Sequence, residues 1–113
     1  MTETRCFKVR LKPGTRDRVL EWAKELQRRK EEALETLRDE GVLVESVFLE
    51  RSPDGDSLVY YMKAEDMERS SRVAHVSSRP IDLYHRKFKE ETWASSSNLE
   101  LLLDLENLEG SSS

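Results

Sequence analysis

The sequence predicts an α+β domain with the element order β-α-β-β-α-β, its second helical region broken in two. Three observations lead there. Apolar residues alternate with polar ones in short runs on both sides of long stretches with a helical apolar period. Turn residues separate every run, and Pro80 falls inside the second helical stretch. Two βαβ-like halves of this kind close as a four-stranded antiparallel sheet in the order 4-1-3-2 with helices on one face, the ferredoxin-like arrangement.

The first run, "RCFKVRL", sets Phe7, Val9 and Leu11 against Cys6, Lys8 and Arg10, as a half-buried strand does. Pro13 and Gly14 break it, and Thr15 is placed to cap the first helix. That long helix runs to about Arg38 and stops at Gly41. At about 100° per residue its stripe holds Val19, Ala23, Leu26, Ala33, Leu34 and Leu37, with Trp22 at the margin. "VLVESVFLE" and "SLVYYMKA" are strands joined by a turn at Pro53, Asp54 and Gly55. "EDMERSSRVAHV" is a weaker helix facing inward through Met67, Ser71 and Ala74, and "SSRP" ends it as a hinge. Pro80 opens the next helix, "RPIDLYHRKFKEETW". "ASSSN" reads as a linker and "LELLLDLEN" as the last strand. Residues 1–109 thus form a single domain, and 110–113 a disordered tail.

Charged residues make up 37% of the chain and apolar ones 36%, against about 25% and 45–50% in an ordinary domain. So thin a core favours assembly with a second copy. A net charge of −4 argues against nucleic acid as a partner, because phosphate binding needs a basic field. No apolar run approaches the roughly 20 residues that span a bilayer, so no membrane partner is expected. The single cysteine, Cys6, has no disulfide partner in the chain and points to the cytoplasm. The isolated glycines form no phosphate loop, and the two histidines lack metal-ligand spacing, so neither cofactor nor metal is expected.

On the sheet face away from the helices, Lys8 and Arg10 are expected opposite Glu106 and Asp104, with Tyr61, Val59 and Leu102 beside them. That face is either solvated, with cross-strand ion pairs, or a charge-lined groove closed by a second subunit. Tyr61, Lys8, Arg10, Asp104, Glu106 and Trp22 are then the candidate ligand-pocket residues. Tyr60 and Tyr61 are adjacent and must face opposite sides of their strand. The candidate catalytic residues are His85 and Lys30, ionisable groups on otherwise apolar helical stripes. Each also has a plain structural role open to it: a hydrogen-bonded boundary histidine, and a lysine snorkelling to water.

The succession "FKVRLKPG", a helix ending at Gly41, "VFLE", the hairpin, "YYMKAED", "PIDLYHRKF", "TW" and "LELLLDLEN" resembles a family of small uncharacterised proteins of the dimeric α+β barrel type, from Cys6 to Asn107. The resemblance implies a homodimer whose two sheets meet face to face and enclose pockets. Its distant relatives include L-rhamnose mutarotases and cofactor-independent monooxygenases. The "KPG" turn is similar to the mutarotase pattern. There the helix presents tyrosine, histidine and tryptophan at four-residue steps, where this chain has Val19, Ala23 and Gln27, so mutarotase activity is not implied. The functional expectation is a dimer that binds, and in one reading converts, a small polar or carboxylated molecule between sheet and helices. The alternative is a non-enzymatic interaction or regulatory module.

Overall fold

The computed structural model describes residues 2–107. Its elements are β1 (Glu3–Leu11), α1 (Arg16–Arg28), α2 (Lys30–Glu40), β2 (Val42–Glu50), β3 (Ser57–Ala64), α3 (Met67–Val76), α4 (Pro80–Thr92) and β4 (Trp93–Asn98). The sheet order β2-β3-β1-β4 is the expected one read from its other edge, and all three pairings are antiparallel. The expected tail at 110–113 lies outside the described residues.

Side-chain alternation fixes what each face carries. Phe7, Val9 and Leu11 of β1 stand beside Leu58, Tyr60 and Met62 of β3 and Glu45, Val47 and Leu49 of β2. This row packs on Val19, Trp22 and Phe88 from the helices to form the core. Phe88 is wholly buried, its ring stacked on Trp22 at 4.3 Å. Burying such a ring contributes about 3 kcal/mol, so the helical layer is anchored mainly here.

Four expectations need correction. The single long helix is two, broken at Arg29 (φ −107°, ψ 38°), although Arg29 N–H still donates to Glu25 O and its carbonyl still accepts from Ala33 N–H. The break interrupts the 100° step, so Lys30 turns out to water instead of continuing the stripe. Gly41 ends α2 in the left-handed conformation (φ 73°), as the sequence indicates.

The last strand is "WASSSN", not "LELLLDLEN". Helix α4 passes without a linker into β4, where Lys12 N–H donates to Thr92 O at 2.8 Å and draws the chain onto the edge of β1. Backbone pairing makes this strand, and its serines simply face solvent. After Leu99 N–H donates to Cys6 O, the chain leaves the sheet, and Leu99, Leu101, Leu103 and Leu105 are exposed rather than an inner row. The leucine alternation imitates a strand without being one.

The expected cross-strand pairs change accordingly. Ser97 and Ser95 stand opposite Lys8 and Arg10. Lys8 instead pairs with Glu50 at 2.7 Å, and Arg10 donates to the carbonyl of Asp54 in the hairpin turn. Asp104 and Glu106 both reach Lys63, and Asp104 also accepts from Thr4 at 2.5 Å. The segment after Leu99 therefore lies over one end of the outer sheet face. The expected hinge at Ser77–Arg79 is fastened: Ser77 Oγ donates to Asp82, and Arg86 donates to the Ser77 carbonyl.

Candidate functional site

A cavity of about 590 Å³ lies between the sheet and the helical layer, a volume suited to a small organic molecule. Ionisable groups reach it from several elements, Arg5 of β1 and His75 of α3 among them. Asp82, His85, Arg86 and Lys89 line it from α4 at positions i, i+3, i+4 and i+7, which is one face of a helix. Glu40 comes from the last turn of α2, and Glu45 from the inner face of β2 opposite Met62. Phe7, Trp22, Val47 and Tyr60 supply apolar wall. Glu45 faces inward because β2 bulges between Val42 and Val44, which shifts the alternation and leaves Leu43 exposed.

His85 is held by Trp22, whose indole Nε1–H donates to His85 Nδ1 at 3.1 Å. With Nδ1 accepting, the neutral ring carries its proton on Nε2. Burial, assisted by the nearby charge of Lys89, pushes the His85 pKa down to about 3. The lowered pKa favours the uncharged ring at neutral pH, with its Nε2–H as a hydrogen-bond donor.

Glu40 is the group tuned to neutrality. Burial raises its pKa to about 7, and the charges of Glu45 and Asp82 push the same way. Its hydrogen bonding opposes the shift: Thr36 Oγ1 donates to Glu40 Oε2 at 3.2 Å, though it lies closer, at 2.7 and 2.6 Å, to the two Asp82 oxygens that compete for its one proton.

Glu45 and Lys89 are drawn toward neutrality together. Burial raises the carboxyl and lowers the ammonium, each opposed by the other's charge. Among the described residues no carboxylate forms an ion pair with Lys89; its Nζ lies over the Trp93 ring, with the centroid at 4.8 Å. Tyr60 Oη is buried without a hydrogen-bond partner, as is Nε1 of Trp93, whose ring meets Tyr60 edge-on at 5.5 Å. Burial accordingly raises the Tyr60 pKa.

Of the residues singled out in the sequence, His85 and Trp22 lie on this cavity in contact with each other. Lys30 is exposed and does not line it. Tyr61, Lys8, Arg10, Asp104 and Glu106 are not on it either. Tyr61, Lys8 and Arg10 belong to the outer face, where Asp104 and Glu106 cap Lys63. Sequence reasoning missed Glu40, Glu45 and Lys89. Lys89 follows His85 by four residues and shares its helical face, a signal that was there to find. Glu45 carried no such signal, because the bulge that turns it inward is not written in the alternation.

Among the described residues no cluster of three or more His, Cys, Asp or Glu side chains could hold a metal ion, and no helix is long and apolar enough to cross a membrane. The family's sequence profile matches residues 2–110. The chain belongs to the family of unknown function DUF6176. No curated protein matches it in sequence.

Solved structures share its fold at low identity. An L-rhamnose mutarotase from Formosa agariphila is 19% identical, with 92% of this chain and 99% of that one covered at a TM-score of 0.61. A putative antibiotic biosynthesis monooxygenase from Nitrosomonas europaea is 11% identical, with 87% and 86% covered at 0.58. A dimeric protein of unknown function and ferredoxin-like fold from Bacteroides fragilis is 15% identical, with 87% and 92% covered at 0.52. These likenesses establish the ferredoxin-like α+β fold. Their names differ in chemistry, so the reaction is not given by the fold.

Proposed function

We propose that this protein is a homodimer that binds a small polar or carboxylated molecule in the cavity between its sheet and its helices. One observation carries the reading: four polar side chains on one face of α4, together with Glu40 and Glu45, line a cavity whose walls also include Phe7, Trp22, Val47 and Tyr60. Holding such groups out of water costs stability that an apolar lining would not. A bound molecule with hydroxyl, carbonyl or carboxylate groups would satisfy them. Arg86 and Lys89 suit an anionic end, while Glu40 and neutral His85 suit hydroxyl or carbonyl groups.

The dimer half of the reading rests on the outer face. Phe48 is 61% exposed and Val44 41%, and Val59 and Tyr61 lie between them and β1. A second copy placed there would cover the patch, in line with the dimeric description of the Bacteroides fragilis neighbour. An interface above roughly 1,000 Å² is expected. The free, half-buried Cys6 fits a reducing, cytoplasmic setting.

The test is a ligand-observed NMR screen of small carboxylic acids, keto acids and sugars against the wild type and Ala74→Phe, whose new ring would occupy the cavity. Binding that Ala74→Phe abolishes supports the reading. Binding indifferent to Ala74→Phe, or no binding across the screen, would leave the interaction-module reading in its place.

A further inference from the structure

We propose that Lys89 condenses with the carbonyl carbon of a small aldehyde or ketone held in the cavity, with Glu40 as the proton carrier. The inference rests on the cavity being the binding site and adds a reaction to it. Four features converge on Lys89. It sits on the cavity wall one helical turn after His85. Its Nζ meets the Trp93 ring and forms no ion pair with a described carboxylate. One side is covered by the Trp93 ring, which attracts an ammonium only weakly beside a carboxylate. Glu40 and Glu45 feel its charge and line the same cavity without forming an ion pair with it.

These are the conditions under which a lysine is a nucleophile. An amine attacks a carbonyl only as the free base, and desolvation in an apolar pocket favours that form. Burial lowers the Lys89 pKa, while the charges of Glu45 and Glu40 oppose the shift and that of Arg86 adds to it. His85, neutral and fixed by Trp22, contributes no competing positive charge.

The step balances without an outside reagent. The Nζ lone pair forms a C–N bond as the carbonyl π pair moves to oxygen. Glu40 gives that oxygen its proton and takes one from the nitrogen, leaving a neutral carbinolamine. Glu40 then protonates the hydroxyl, which departs as water while the nitrogen lone pair closes the C=N bond. The products are a protonated imine on Lys89, one water and the Glu40 carboxylate. The substrate class is therefore a small carbonyl compound, and a carboxylate on the neighbouring carbon would meet Arg86.

The experiment incubates the full chain at pH 7 with pyruvate or with glycolaldehyde in the presence of sodium cyanoborohydride, which reduces an imine to a stable secondary amine, and maps labelled lysines by peptide mass spectrometry. Labelling of Lys89 clearly faster than that of exposed Lys30 is expected, since a lowered pKa leaves more of the amine as free base. Glu40→Gln should slow that labelling by about a hundredfold, the usual scale of a proton carrier's contribution. Ala74→Phe should abolish it, and circular dichroism shows whether each variant folds. Lys89 labelled no faster than Lys30 by either probe overturns the inference. If the NMR screen still finds cavity ligands, the binding reading stands without it. Fast labelling at Lys89 that Ala74→Phe leaves unchanged overturns both, because the reactive lysine would then not depend on the cavity.

Discussion

The two faces of the sheet carry charge in different ways. On the outer face Lys8 and Glu50 meet in water, their side chains 42% and 53% exposed. On the inner face Glu40, Glu45, His85 and Lys89 sit within the fold, and burial moves each toward its neutral form. The strand backbone is the same for both. What differs is the layer above it: solvent on one side, four helices with a cavity beneath them on the other. The charge pattern of a strand therefore does not show which residues can do chemistry; the cover does.

The comparison breaks most severely if the inner layer loses its anchor. Phe88→Ala removes a wholly buried ring stacked on Trp22 and is expected to cost about 4 kcal/mol, read as a lowered midpoint in urea denaturation. Disruption of the outer face should act on assembly instead. Phe48→Asp places a charge in the exposed apolar patch and is expected to weaken the proposed dimer by about 3 kcal/mol or more, while the isolated subunit keeps its helical circular dichroism. A monomeric wild type at tens of micromolar in sedimentation would remove the dimer from the account.

The inner face also has a pH signature. The Glu40 pKa is raised from 4.5 to about 7, so the folded state holds a proton the unfolded chain has lost, and stability falls as pH rises from 4.5 to 7. The His85 pKa is lowered from 6.5 to about 3, so the unfolded chain gains a proton first, and stability falls as pH drops from 6.5 to 3. Between 4.5 and 6.5 the two slopes oppose each other. The wild type should therefore vary less there than either single variant. Glu40→Gln should expose the His85 slope, with stability rising by up to about 5 kcal/mol from pH 3 to 6.5, less what the raised Glu45 takes back. His85→Phe should expose the opposite slope of similar size, to which Glu45 adds. Equal pH profiles for all three proteins would mean that the cavity solvates these groups as water does. At the small end, Lys8→Ala should change stability by no more than about 0.5 kcal/mol in the same urea titrations, as an exposed pair implies.

These contrasts explain what could be read from the chain alone. The hairpin, the start of α4 at Pro80 and the Gly41 cap were legible because each depends on a local conformational constraint. The alternation of β3 between Tyr60 and Tyr61 was legible, but not which of the two faces the cavity: Tyr60 does, and Tyr61 does not. β4 was not legible, because its serines are held by backbone pairing at a sheet edge, which side-chain pattern does not report. Lys30 looked like a stripe residue because the stripe was extended through Arg29, where no proline or glycine marks the break. His85 and Trp22 were found through aromatic spacing, yet their meeting depends on the packing of two helices far apart in the chain. Glu40 and Glu45 look like ordinary surface acids until the fold closes over them.

The most direct test of the claim that the working groups lie beneath the helices is the titration of the Glu40 carboxyl carbon by NMR across pH 3 to 9. The account expects a midpoint near 7, with the neighbouring Thr36 resonances moving in step. A midpoint near 4.5, where an exposed glutamate titrates, would contradict it.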